Sequence, residues 1–143
     1  MMVSDIQLSS SAKKDKMKIH KLFIAFTALF GVSAVIIGSL SAHAIDKGLS
    51  IESLQRLETG LEYQFYHVVA LLGVGILASL HRNSDSLLLK LSGLAFITGI
   101  LLFSGSLYIY AITGDELFGK VTPFGGIFFI FGWLMLFFFS FRK

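Results

Sequence analysis

Four stretches without a single Asp, Glu, Lys or Arg organise this chain: Leu22 to Ile45, Tyr63 to His81, Leu91 to Gly114 and Val121 to Phe141, of 24, 19, 24 and 21 residues. A helix rises about 1.5 Å per residue, so about 20 apolar residues cross a hydrocarbon core of ~30 Å, and each stretch is long enough to span it. The second, the shortest, borrows its first turn from Leu61 and Glu62. All four are apolar around their whole circumference, unlike the one-sided stripe of a helix facing water. Composition agrees: 55% of the 143 residues are hydrophobic and 15% charged, where a soluble domain carries about 25% charge. The mean hydropathy is +0.78. The sequence therefore predicts an all-α integral membrane four-helix bundle, with spans at about 22–45, 61–81, 88–113 and 121–141 in one four-span domain, 22–143.

Positive residues record orientation, because basic flanks resist translocation. Nine lie in the N-terminal tail (Lys13, Lys14, Lys16, Lys18, Lys21), the second loop (Arg82, Lys90) and the C-terminus (Arg142, Lys143), against Lys47, Arg56 and Lys120 in the other two loops. Both termini are thus expected in the cytoplasm. The formal net charge of +3 is topological, and no nucleic-acid partner is expected. Residues 1–21, rich in Ser and Lys, read as a disordered basic cytoplasmic tail. The lysines, the apolar run and Ala42-His43-Ala44 mimic a signal peptide, but Leu22 to Leu40 exceeds the usual h-region of about 7 to 15 residues, so the first span is expected to be retained. Before span two, Leu54, Leu57 and Leu61 share one helical side, with Ile51 at its edge. They predict a short interfacial helix, with Gly60 as its bend.

Helices in lipid associate through close packing and interhelical hydrogen bonds, which favours small residues at their seams. Thr27, Gly31, Ala34, Gly38, Ser41 and Ala42 fall on one arc of span one, and Gly125 and Gly132 are seven apart on span four. These are the expected packing positions. Pro123 is expected in the first turn of span four, where its missing N–H costs little. The Phe-rich remainder of that span reads as packing or lipid contact.

The polar residues within the spans crowd toward the outward half. His43 closes span one, Tyr63, Gln64 and His67 open span two, and Ser104, Ser106 and Tyr108 lie in the last turns of span three. Tyr63, Gln64 and His67 share an arc with Gly60, whereas Glu62 points away from His67. Ser104 and Tyr108, four apart, are the expected partners of His67 across the bundle. Two accounts remain open. The side chains are interhelical hydrogen-bond glue, or they line an outward pocket for a polar ligand, lipid headgroup or proton, with His67 titrating. Haem or metal between His43 and His67 lacks further ligands at helical spacing, and no metal or cofactor is expected. His20 and His81 read as interfacial anchors, and Thr113 to Glu116 as a solvated turn ended by Gly114. No cysteine is present, which excludes disulfides and thiolate sites. No nucleotide loop, nucleophile elbow or carboxylate pair within a span is found, and no catalytic residue is expected.

Four blocks carry a likeness: GSLSAHAIDKGL at 38–49, TGLEYQFYHVVALL at 59–72, LFSGSLYIYAITG at 102–114 and VTPFGGIFFIFGWLML at 121–136. In this order they resemble the domain-of-unknown-function 423 family, the YgdD-like small membrane proteins, over about Leu22 to Phe141. Ser41 stands where that family more often has glycine. The resemblance implies a bacterial inner-membrane protein of four spans without an established activity. It marks His43; Tyr63, Gln64, Tyr66 and His67; Ser104, Gly105, Ser106 and Tyr108; and Thr122, Pro123, Gly125 and Gly126 as family positions. The expected function is that of a non-enzymatic membrane component binding a membrane-protein partner, a second copy or lipid. The alternative is a small transporter or channel-like module built on the outward polar pocket.

Overall fold

The computed structural model describes residues 2–43, 48–80 and 86–142, with side chains from Ile19 onward. The chain forms four helices, α1 (Met2–Ser41), α2 (Ile51–Leu80), α3 (Leu87–Thr113) and α4 (Glu116–Ser140), and among the described residues no strand. All four are long and apolar enough to cross a membrane, α1 through its segment Ile19–Ser41. The all-α, four-span architecture expected from the sequence is the one found.

Local chemistry sets the helix ends. The Ser50 hydroxyl accepts the Ser53 N–H at 3.2 Å and caps α2. Gly114, at φ +70°, takes the left-handed turn that ends α3 and donates its N–H to the Tyr110 carbonyl at 2.9 Å. Asp115 then caps α4, its carboxylate accepting the Leu117 N–H at 2.9 Å. Cap and stop are adjacent residues, so α3 and α4 are joined by the tightest connection described.

Several boundaries differ from expectation. α2 runs unbroken from Ile51, so residues 51–61 are helical and lead directly into the second span, without the expected bend at Gly60. The Asp115 cap starts α4 five residues before the charge-free stretch, which puts Pro123 inside the helix instead of in its first turn. Charged residues at helix ends reach water from beyond the hydrocarbon, so a helix can outrun its uncharged stretch. α1 is helical from Met2, where the sequence left a tail outside the bundle. Extending an existing helix needs no new nucleus, so Lys, Ala and Met can prolong the span on which they stand. Residues 44–47, 81–85 and 143 carry the ends of the first two expected spans, Ala44 of the signal-peptide mimic, His81, and the positive residues Lys47, Arg82 and Lys143. All of these lie outside the described residues.

α1 packs on α2, α2 on α3 and α3 on α4, and α3 also touches α1. α3 is consequently the central helix: 50% of its most apolar window is buried, against 17% for α1 and for α4. Phe23, Leu71, Val74 and Phe96 are fully buried at the centre. Val32, Val35 and Ile36 of α1 and Phe124, Ile127 and Ile130 of α4 are more than half exposed and face outward, toward lipid. At its middle α3 widens into a π-helical segment, Ile100–Ser104.

Candidate functional site

Gln64 is 2% exposed and sits where three helices meet. Its side-chain amide donates to the Phe30 carbonyl at 2.7 Å and to the Ser33 hydroxyl at 2.9 Å, both on α1. Its carbonyl oxygen accepts the Tyr108 hydroxyl of α3 at 2.7 Å. Both amide hydrogens and one oxygen lone pair are engaged, which is close to everything a glutamine can bond. The Tyr108 ring reaches this point because Gly60, one turn earlier on α2, leaves room: a Cβ there would lie 2.7 Å from the ring. Gly60 is a notch and not a bend.

His67 lies on the same face of α2, yet turns to a different neighbour. Its ring stacks on Phe129 of α4, centroids 3.5 Å apart and planes 8° apart. Nδ1 is 2.7 Å from the Tyr63 carbonyl, and Nε2 is 3.2 Å from the indole nitrogen of Trp133. An indole N–H only donates and a carbonyl only accepts, so these partners require a neutral imidazole with its proton on Nδ1. No lone pair is left for a metal or haem iron. A second proton on Nε2 would set donor against donor.

The remaining expected residues separate. Ser106 bonds Thr122 of α4 at 2.7 Å and its own Phe103 carbonyl at 3.0 Å. Tyr63 is 39% exposed, its ring stacked on Phe103 at 4.6 Å. His43 is exposed just past the end of α1. Ser104, fully buried in the π segment, is the one buried side-chain polar group described that makes no hydrogen bond. The expected pairing of His67 with Ser104 and Tyr108 is therefore corrected, for Tyr108 is taken by Gln64 and His67 by Trp133. What stands here is a set of closed ties, with no nucleophile beside a base and no converging carboxylates.

The packing positions divide as well. A Cβ on Gly125 would lie 2.3 Å from the Phe103 backbone nitrogen, and one on Gly132 would lie 2.7 Å from the Phe96 ring. Ala34 is fully buried, and a Cβ on Gly38 would make ordinary contact with Leu61 at 3.8 Å. Ser41 bonds back to Gly38 of its own helix. Gly31 does not pack as expected, because a Cβ there would meet nothing within 4 Å.

Sequence reasoning missed Trp133, Ser33 and Ser92, the last donating to the Gly132 carbonyl at 2.9 Å from the half opposite the one where the polar residues were expected to crowd. It also missed the notches at Gly93 and Gly99, which receive Phe23 and Phe129. One signal was present. Trp133 is the only tryptophan, and its N–H in a charge-free stretch needs an acceptor.

Comparison with known proteins returns consistent matches. The family model described as "Protein of unknown function (DUF423)" covers residues 37–126. The UPF0382 membrane protein SSP2132 of Staphylococcus saprophyticus is 40% identical over 81% of this chain and 93% of its own. A UPF0382 membrane protein of Haemophilus influenzae is 37% identical over 85% and 94% of the respective chains. The UPF0382 inner membrane protein YgdD of Escherichia coli is 34% identical over 81% and 86%. No solved structure matches the chain.

Proposed function

The chain belongs to the DUF423 family, and from that premise we propose that it is a non-enzymatic component of a bacterial inner membrane, acting by holding lipid, a membrane-protein partner or a second copy against its outer helix faces. One observation carries the reading. The polar side chains inside the bundle are spent on each other, at Gln64, His67 and Ser106, while the exposed faces of α1 and α4 are apolar. Groups already bonded to neighbours hold helices in register and have little left to offer a ligand. The nine positive residues in the tail, second loop and C-terminus, against three in the other two loops, support a topology with both termini in the cytoplasm. A reporter fused to the C-terminus should be active only inside, and an external C-terminus would reverse the assignment.

The transporter-like alternative, built on His43, Tyr63, Gln64, His67, Ser104, Ser106 and Tyr108, has one feature in its favour, the buried and unbonded Ser104 hydroxyl one turn before Tyr108 on α3. Crosslinking with mass spectrometry in native membrane tests the main reading, with stoichiometric lipid or protein adducts on α1 or α4 expected. Saturable solute uptake by the pure protein in liposomes would overturn it in favour of the alternative.

A further inference from the structure

On the outer side of the bundle, Phe65, Tyr66, His67 and Val69 of α2 and Trp133 of α4 line an open, mostly apolar groove. It is open because His67 and Trp133 bridge the two helices through long side chains, while their backbones stay apart. Beside it stands Glu62, one turn before Tyr66, exposed on the same outer surface, with the Tyr66 hydroxyl donating to its carboxylate. Glu62 follows Arg56 by six residues, which sets it roughly 9 Å further along the helix at about 1.5 Å per residue. Arg56 is itself held at the bundle's end, its guanidinium 4.1 Å from the Tyr110 ring centre.

A carboxylate on the lipid-facing side of a span is costly unless partnered, and one phenol satisfies only part of it. Where lipid rather than water completes its shell, the matching group carries N–H donors and positive charge. Charge at this end narrows it further: among the described residues Glu52, Glu58, Glu62, Asp115 and Glu116 outnumber Arg56 and Lys120, a balance that disfavours anionic headgroups. We propose that the α2–α4 groove binds a phospholipid with a primary ammonium headgroup, the ammonium donating to Glu62 and the acyl chains lying over Phe65, Val69 and Trp133. The Tyr66 hydroxyl orients the carboxylate, the Tyr66 ring, 56% exposed, offers its face to the headgroup, and Trp133, 50% exposed and bonded to His67 more than a turn deeper, meets the acyl chains. The inference rests on the reading that the chain works through its outer faces, and names the lipid class one of them takes.

Trp133 is the chain's only tryptophan and lines the groove, so its fluorescence reports the occupant. The full chain is reconstituted in phosphatidylcholine vesicles doped with phosphatidylethanolamine, phosphatidylcholine or phosphatidylglycerol brominated on the acyl chains. Brominated phosphatidylethanolamine should quench Trp133 at a several-fold lower mole fraction than the other two. Glu62→Gln, which keeps the side-chain size and an acceptor for Tyr66, should bring all three within twofold, whereas Tyr66→Phe should retain a preference. N-methylation of the probe headgroup tests the same point on the unaltered chain, and quenching should weaken stepwise as N–H donors are lost. Equal quenching by the three lipids, a preference that survives Glu62→Gln, or a groove covered by a second copy and quenched by none would each overturn the proposal. The broader reading would survive all three outcomes, since it falls to solute uptake and not to lipid indifference.

Discussion

The seam between α3 and α4 and the junction around Gln64 hold apolar helices together by different physics. At the seam the fit is steric and reciprocal: Phe96 enters the notch at Gly132, Phe129 enters the notch at Gly99, and the Phe103 backbone lies against Gly125. At the junction one amide ties α1, α2 and α3 through bonds of 2.7 to 2.9 Å. Lipid removes the hydrophobic incentive for helices to meet, so association rests on contact area and on polar groups with nowhere else to bond. Notches fix how close two helices come, and a shared amide fixes how far each has slid along the other. The devices overlap, since Ser92 and Ser106 also bond across the seam and the Gly60 notch admits Tyr108 at the junction, but the closest backbone approach lies at the seam and the most shared polar group at the junction.

The seam is the easier of the two to break. Gly125→Ala sets a methyl against backbone that has no rotamer to change, and should lower stability by about 3 kcal/mol, the upper end for overpacking. Helix loss by circular dichroism against rising sodium dodecyl sulfate fraction measures it. Next comes Gln64→Leu, which strands the Tyr108 hydroxyl, leaves Ser33 only its bond to the Phe30 carbonyl, and should cost about 2 kcal/mol by the same measurement. Combining it with Tyr108→Phe isolates one bond, with a coupling of about 0.6 to 1.7 kcal/mol expected from bonds of this kind in membranes. Trp133→Phe keeps an aromatic ring near His67 but removes the indole N–H and part of the ring, the lost bond alone being worth about 0.6 kcal/mol. Gly31→Ala is the control, since it meets open space and should stay within about 0.5 kcal/mol. A Gly31 variant as damaging as the Gly125 one would erase the distinction between a notch and a merely small residue.

Those two glycines also mark the limit of what was legible. Each sits on a small-residue arc of an apolar helix, and what separates them is the shape of the opposing helix, which a single helix's periodicity does not encode. The spans themselves were legible because uncharged runs of that length have few uses outside a membrane. Their ends were less so, because caps such as Asp115 and Ser50 begin helices in polar sequence well before the hydrocarbon. Gln64 could be recognised as buried, but a helical wheel gives the face and not the neighbour, so its bonds to Phe30 and Ser33 came only with the structure. His67 was misassigned to Tyr108 for the same reason. The π segment at Ile100–Ser104 follows no pattern in the residues that form it, and with it the isolation of Ser104 was out of reach.

The central claim is that the polar residues inside the spans form a closed tie and not a watered pocket. The chain contains no cysteine, so single cysteines can be placed at Ser33, His67 and Ser104, with His43 as the exposed reference, and challenged with a membrane-impermeant maleimide in intact cells. The account predicts labelling at position 43 and none above background at the other three. Labelling at 67 or 104 at a rate comparable to that at 43 would show water reaching the cluster, and would contradict it.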